Sequence, residues 1–352
     1  MEQKSVLIGM SGGVDSSVAA ALLKEQGYHV IGATMRLWTY SDSCNMKHEG
    51  CCAESAVEDA RRVCDKLGID FYVMNFKDMF KDKVVDYFVD EYIHGRTPNP
   101  CIACNKYLKF DALLKKALAM GIDYVATGHY AKIEKGEDGK YILRASEAVK
   151  KDQSYVLYNF TQEQLAHTLM PLGGYNKDWV RQKAEELGLG VAHKPDSQEI
   201  CFVEDDDYAK FITDYSGYKP KEGDILDVNG NVIGKHRGLI YYTIGQRKGI
   251  GAYGRPMFVM KIDAENNTIT LGEKGMEFSN ELTAYDVNFV SGEFPKENML
   301  ITAKVRYQAP PAAAMLCPQK DGTVKLMFPE PQRAVTPGQA VVFYDGDIVL
   351  GG

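Results

Sequence analysis

Three cysteines and one glycine-rich loop hold the side chains best suited to chemistry. Cys101 and Cys104 stand three apart in NPCIACNKYLKF, where a proline-rich loop gives way to a helical pattern. A helix N-terminus lowers a thiol pKa, and Lys106 and Lys109 favour the thiolate further, so Cys104 is a candidate nucleophile. A single C-x-x-C equally suits half a zinc site or a redox pair, and no second one completes a four-cysteine site. Cys201, in KPDSQEICFV, lies outside any pair and by itself reads as a buried thiol. The loop is MSGGVDSSVAAALL, which follows the apolar run SVLIGM and leads into small and apolar residues at helical spacing. Gly12 and Gly13 allow close approach of a ligand, and the loop amides with the helix N-terminus form a concavity suited to phosphate. A Walker loop would place a lysine after its glycines; here Val14 and Asp15 follow, which removes most support for a kinase or GTPase.

These groups need an α/β scaffold. From Lys4 to about residue 195, apolar strands (HVIGATM, DFYVMNF, YVATGHYAKI) alternate with helical stretches (SAVEDARRVCDKLG, DALLKKALAMG), the pattern of a parallel sheet. Ligands bind at the carboxyl ends of such strands. Two irregular stretches fit there: the polar one between Trp38 and Cys52, and YIHGRTPNPCIAC, in which Pro98 and Pro100 oppose regular structure. After VEDDDYAKFITDY the texture changes to short glycine-punctuated segments, and from about residue 280 LTAYDVNFV, ITAKVRY, TVKLMF and QAVVFYDGDIVL read as strands. The expected architecture is α/β, with domain 1–203 followed by a small central domain, 204–278, and a β-barrel or sandwich, 279–352. At 352 residues, several domains are expected. The apolar run near the start is too short for a signal peptide, and nothing approaches a membrane span, so a cytoplasmic location with no membrane partner is expected. In that compartment eight cysteines read as buried thiols, ligands or catalytic groups rather than a disulfide framework. A net charge of -7 opposes indiscriminate nucleic-acid binding but leaves room for a local basic surface.

The loop S-G-G-x-D-S resembles the PP-loop of ATP pyrophosphatases, which cleave ATP between its α- and β-phosphates. A more specific resemblance runs through the whole chain in order: GMSGGVDSSVAA, GCCAESAVEDARRV, RTPNPCIACNKYLKF, ATGHYA, KKDQSYVLY, KPDSQEICFV, HRGLIYYTIGQRKGIG and TPGQAVVFYDGDIVLGG resemble the bacterial tRNA-specific 2-thiouridylases, the MnmA family. The resemblance implies a PP-loop (adenine nucleotide alpha hydrolase-like) domain, a small central domain and a C-terminal β-barrel. It implies replacement of the C2 oxygen of the wobble uridine by sulfur, using ATP and a persulfide. Adenylation turns a poor leaving oxygen into a good one, and sulfur then displaces AMP.

On that resemblance Gly9, Met10, Ser11, Gly12, Gly13, Val14, Asp15 and Ser16 bind the ATP phosphates, and Met35 and Gly128 the adenosine part. Cys201 carries the persulfide and Cys104 is its partner thiol, the pair ending as a disulfide. Asn99, Pro100, Cys101, His129, Lys151, Asp152, Gln153, Arg306, Tyr307 and Gln339 correspond to contacts with tRNA. The implied partners are a tRNA with a modifiable wobble uridine and a cysteine desulfurase or sulfur-relay protein as donor. Mg²⁺ is expected on the ATP phosphates, with no residue marked as its ligand. The basic run GKHRGLIYYTIGQRKGIGAYGR, with Lys235, His236, Arg237, Arg247, Lys248 and Arg255 among tyrosines, suits RNA. Many family members carry aspartate at the position of Cys101. Cys101, Cys104 and Cys201 could therefore ligate a 4Fe-4S cluster, although a persulfide is the favoured expectation. Cys64 reads as core, Cys317 as remote, and Cys44, Cys51 and Cys52 stay open among structural, metal-binding and redox roles. The alternatives are another PP-loop adenylating RNA thiolase or amidotransferase, and an RNA-binding or sulfur-carrier protein without catalysis. The last should have lost Ser11, Asp15 or Ser16, and all three are present.

Overall fold

The computed structural model describes residues 3–38, 54–148, 151–196, 200–203 and 206–352. A five-stranded, all-parallel sheet is ordered β3 (Asp70–Asn75), β2 (His29–Arg36), β1 (Ser5–Gly9), β4 (Tyr124–Ala126), β7 (Thr168–Leu169). Alternation along β1 sends Leu7 into one apolar core and Val6 and Ile8 into another, so both faces of the sheet are covered. Helix α1 (Val14–Glu25) and helix α2 (Glu54–Leu67) supply Val14, Val18, Leu22, Ala60 and Val63 to the second core. The strand order reverses beside β1, between β2 and β4, which opens a crevice at their carboxyl ends.

Between β3 and β4 the chain is largely helical. Lys77–Phe80, a wide-turned π segment Lys81–Val85 and Asp86–Ile93 run in succession, then Pro100–Ala103, a second π segment Cys104–Ala112 and Leu113–Ala119. Pro100 therefore starts a helix where the sequence suggested irregular chain. It occupies the first helical turn, where a missing N–H costs nothing and a fixed φ helps.

The segment YVATGHYAKI, read as one strand, is two. Tyr124–Ala126 ends in the parallel sheet, and β5 (Ala131–Lys135) pairs with β6 (Tyr141–Ala145) in a different one. That hairpin extends an eight-stranded antiparallel sheet ordered β12 (Phe278–Ala284), β15 (Val324–Arg333), β14 (Ala312–Pro318), β13 (Met299–Lys304), β16 (Val342–Asp345), β17 (Ile348–Gly351), β6, β5. Arg144 of β6 ties this junction, bonding Asp347 and Glu134 at 2.8 Å each. The central unit is a four-stranded sheet ordered β10 (Met257–Asp263), β11 (Thr268–Glu273), β8 (Gly223–Leu226), β9 (Val232–His236), around Ile225, Val259, Ile269 and Leu271. Among the described residues no helix is long and apolar enough to cross a membrane.

Candidate active site

The loop after β1 is held by its own backbone and hydroxyls. Met10 donates its N–H to Ala33 O at 2.8 Å and accepts from Thr34 Oγ1 at 2.7 Å. Ser16 Oγ accepts from Ser11 N at 3.2 Å and lies 3.1 Å from Ser11 Oγ, while Ser17 Oγ donates to Gly13 O at 2.8 Å. Gly12 has φ +70°, and a Cβ there would lie 2.2 Å from Ala56 O, so only glycine fits. Gly13 caps α1 without a side-chain acceptor, leaving the first-turn amides directed at the crevice, as an anion site requires. Gly128, after β4, packs on the same turn: a Cβ would lie 2.7 Å from Ser16 N. Gly9 closes β1, Val14 is buried beneath the loop, and Met35 is half-buried near the end of β2.

The lysine missing from the loop arrives from elsewhere. Lys177, at the start of helix Lys177–Glu186, donates to both Asp15 oxygens at 2.7 and 2.8 Å and pairs with Asp196 at 2.7 Å. Asp196 also accepts from Lys151 at 2.7 Å and from Arg181 at 3.4 Å. Partial burial would raise its carboxyl, but the bonds to Lys151 and Lys177 outweigh that and hold it below the usual carboxylate range. Lys194 bonds Gly12 O at 3.1 Å and Asp59 at 2.9 Å. Tyr130 donates to Asp15 Oδ1 at 2.7 Å, and burial with that neighbouring charge pushes its phenol far up. Sequence reasoning singled out none of Tyr130, Lys177, Arg181, Lys194 and Asp196 individually. Tyr130, Lys194 and Asp196 did lie inside the strings ATGHYA and KPDSQEICFV, whereas Lys177 and Arg181 carried no signal.

The cysteine helix begins earlier than expected. Asn99 caps it by accepting from Cys101 N at 3.1 Å, so Cys101 lies in the first turn, exposed, and Cys104 one turn further in, buried at 8% exposure. The dipole effect fades within the first turn, so it acts on Cys101 rather than Cys104. Even there it does not prevail: crowding around Cys101 pushes its thiol above the ordinary value, with Lys109 opposing. Lys106 is engaged by Asp286 at 3.2 Å. Cys104 and Cys201, 97 positions apart in sequence, belong to one apolar cluster with Phe88, Tyr155 and Phe202. Cys201 is half-buried and forms no disulfide in this structure. Among the described residues no group of three or more His, Cys, Asp or Glu side chains is arranged to hold a metal ion. Cys101, Cys104 and Cys201 are thus not gathered as a three-thiolate cluster site. Cys64 is fully buried, its thiol pushed up to about 12 by burial, and Cys317 lies on β14. Cys44, Cys51 and Cys52 lie outside the described residues.

The residues assigned to RNA separate into two groups. Lys151, Arg306 and Tyr307 are solvent-accessible; the Tyr307 ring packs edge-on to Tyr155 at 5.7 Å, with the Lys304 ammonium 5.8 Å from its centre. Others hold structure. The Asp152 carboxylate accepts from Ser146 N at 3.0 Å and from Ser154 N and Oγ at 3.2 and 2.8 Å. Gln153 and Tyr130 exchange two bonds, at 3.0 and 2.9 Å. Gln339 Nε2 donates to Thr97 O at 2.7 Å, and Pro100 is buried. His129 Nδ1 lies 2.7 Å from Thr127 Oγ1 and its ring 5.8 Å from Phe110; burial, reinforced by Lys109, holds it well below the ordinary histidine value. In the basic run, His236 is buried and bonded to Asn267 O at 2.9 Å, Lys235 pairs with Asp224, Arg255 with Glu273, and Arg237 covers Tyr241. Arg247 and Lys248 are exposed.

Comparison with known proteins accounts for this arrangement over the whole length. Residues 4–205 match the tRNA methyl transferase HUP domain, 209–273 the tRNA methyl transferase PRC-barrel domain and 279–352 the aminomethyltransferase beta-barrel domain. The tRNA-specific 2-thiouridylase MnmA of Acetivibrio thermocellus is 59% identical over 355 aligned positions, covering 100% of this chain and 99% of that one. Those of Clostridioides difficile (58%; 99% and 97% covered) and Clostridium botulinum Alaska E43 (57%; 100% and 98%) are similarly close. With a PP-loop domain, a central barrel domain and a C-terminal barrel domain in that order, the chain belongs to the MnmA family of tRNA-specific 2-thiouridylases.

Proposed function

We propose that this family member is an ATP-dependent tRNA-uridine 2-sulfurtransferase acting on the wobble uridine. One observation carries the reading. His129 and Tyr130 are consecutive residues, and Tyr130 bonds Asp15 of the phosphate loop while His129 packs on Phe110 of the helical run that bears Cys104. The nucleotide loop and the thiol are therefore joined through one short turn.

In this reading the amides of Gly12, Gly13 and the first turn of α1 receive the ATP phosphates, Lys177 and Lys194 neutralise them, and Met35 and Gly128 border the adenosine. The uridine C2 oxygen attacks the α-phosphorus and pyrophosphate leaves. A cysteine desulfurase or relay protein loads Cys201 as a persulfide. Cys104 attacks the inner sulfur of that persulfide, releasing the terminal sulfur as hydrosulfide. Hydrosulfide adds to C2 and AMP departs, leaving a Cys104–Cys201 disulfide for an external dithiol to reduce. The half-buried Cys201 is reachable by a donor, and the buried Cys104 is shielded from adventitious oxidants.

Mg²⁺ would be held chiefly by the nucleotide phosphates, since both Asp15 oxygens accept from Lys177 and one also from Tyr130. It would supply charge neutralisation there. No step is routed through an iron-sulfur cluster, because the three thiols are not grouped. Lys151, Arg306 and Tyr307 face the tRNA, with residues 1–203, 204–278 and 279–352 as catalytic, central and barrel domains in the cytoplasm.

The test is release of AMP and pyrophosphate from labelled ATP. We expect release that depends on a tRNA carrying a modifiable wobble uridine; release that ignores that base would defeat the reading.

A further inference from the structure

The helix bearing Cys101 and Cys104 is anchored at its entrance by chain 146 and 242 positions away. Thr97 is the anchor point. Its N–H donates to Pro337 O at 2.9 Å, its carbonyl accepts from Gln339 Nε2 at 2.7 Å, and its hydroxyl lies 3.4 Å from Thr243 Oγ1. Both backbone groups of Thr97 are thus taken by one stretch, Pro337–Gln339. Gly338 between them has φ +90°, and a Cβ there would lie 2.8 Å from Thr97 N and 3.0 Å from Thr97 O, so the two backbones touch. The stretch is itself fixed: Gln339 N donates to Thr336 O at 3.2 Å, and Ala340 O accepts from Tyr155 OH at 2.7 Å. On the central side, a Cβ at Gly95 would meet Ile262 at 2.6 Å. Between Thr97 and the helix stands only the Pro98–Asn99 step, with Asn99 as the cap and Pro98 and Pro100 both buried.

We propose that Gln339 is a positioning residue for the cysteine pair. Its carboxamide holds the Thr97 carbonyl, and through two stiff proline steps that fixes where the helix starts and how deeply Cys104 is seated. The barrel then acts on the chemistry without touching the reacting atoms. The inference rests on the reading of Cys104 as the sulfur-handling thiol, and it gives Gln339 a role that does not need RNA.

Gln339→Met keeps the side-chain length and removes the donor. In ligand-free protein, we expect alkylation of Cys104 by N-ethylmaleimide, read peptide by peptide, to rise about two- to tenfold, the range for one net hydrogen bond. We expect kcat for 2-thiouridine formation to fall by a similar factor, with KM for tRNA nearly unchanged. Gly338→Ala, which forces the two backbones apart, should give the same signature more strongly. The fully buried Cys64 is the internal control. Unchanged Cys104 alkylation with a raised KM for tRNA would overturn the proposal and leave Gln339 an RNA contact only. A parallel rise at Cys64 would overturn it too, as general loosening. The alkylation arm uses no tRNA, ATP or sulfur donor, so a wild-type protein that fails to thiolate would defeat the functional reading and leave this result standing.

Discussion

The loop after β1 and the loop that leads into the cysteine helix differ in where their anchors come from. The first is closed by bonds among Met10, Ser11, Gly13, Ser16 and Ser17, with Ala33 and Thr34, and is braced by Tyr130, Lys177 and Lys194 of the same domain. The second has a local cap at Asn99, but its entrance is held by Thr243, Pro337 and Gln339, which come from the central and barrel parts of the chain. The loop after β1 is therefore held within residues 4–205, whereas the entrance to the cysteine helix is held by the central and barrel parts of the chain. Damage to the barrel should reach sulfur transfer before it reaches ATP.

The sharpest way to break this contrast is to separate the two half-reactions. Asp15→Ala or Ser16→Ala should reduce AMP formation by at least about a hundredfold while sparing tRNA affinity, because loss of a preorganised electrostatic contact costs on that scale. Cys104→Ser and Cys201→Ser should abolish thiolation yet retain AMP formation, and Cys101→Ser should keep substantial activity. Equal loss of both half-reactions in every variant, measured on folded protein, would erase the distinction.

A smaller effect is expected at Lys177. Lys177→Met leaves Asp15 and Asp196 without their shared cation, and KM for ATP should rise about ten- to a hundredfold, the scale of a charged hydrogen bond. An unchanged KM would show that the loop needs no lysine from outside.

The pH dependence sharpens the comparison on the thiol side. Burial and Lys109 hold His129 low, so the unfolded chain takes its proton more readily than the folded one. That contribution is complete above the unfolded value near 6.5 and is lost as pH falls below it, by at most about 1.4 kcal/mol per pH unit. His129→Gln should therefore flatten the fall in urea midpoint below about pH 6.5. Cys101 moves the other way: its alkylation should titrate above the free-cysteine value of about 8.5, and Lys109→Ala should raise the midpoint further.

The smallest expected change is in salt dependence. Replacing Lys151 and Arg306 should make the log-log slope of tRNA binding shallower by roughly 0.7 to 0.9 per lost phosphate contact. A slope that stays put would remove both from the backbone contacts.

The same contrast explains what could be read from the sequence. The strand-to-helix turn between Gly9 and Val14 was legible because glycine, serine and the change of pattern are local signals. The pairing of Cys104 with Cys201 came only through family resemblance, since no periodicity joins positions so far apart. Lys177, Arg181 and Tyr130 were missed individually for the same physical reason: ion pairs and hydrogen bonds between separate segments leave no pattern in either. YVATGHYAKI reads as one strand from its apolar residues, but composition does not say that the chain changes sheets between Ala126 and Ala131. His236 was named for RNA by residue type and Asp152 by family resemblance; neither signal shows that their polar atoms bond Asn267, Gly238, Ser146 and Ser154.

The central claim is that one crevice activates the wobble uridine with ATP and replaces its C2 oxygen from a cysteine-borne sulfur. Mass spectrometry of nucleosides from tRNA incubated with the protein, ATP, cysteine and a cysteine desulfurase tests it directly. The account predicts 2-thiouridine at the wobble position with wild-type protein, and unmodified uridine with accompanying AMP in Cys201→Ser. Unchanged wobble uridine with wild-type protein and a competent donor, or sulfur at a different ring position, would contradict it.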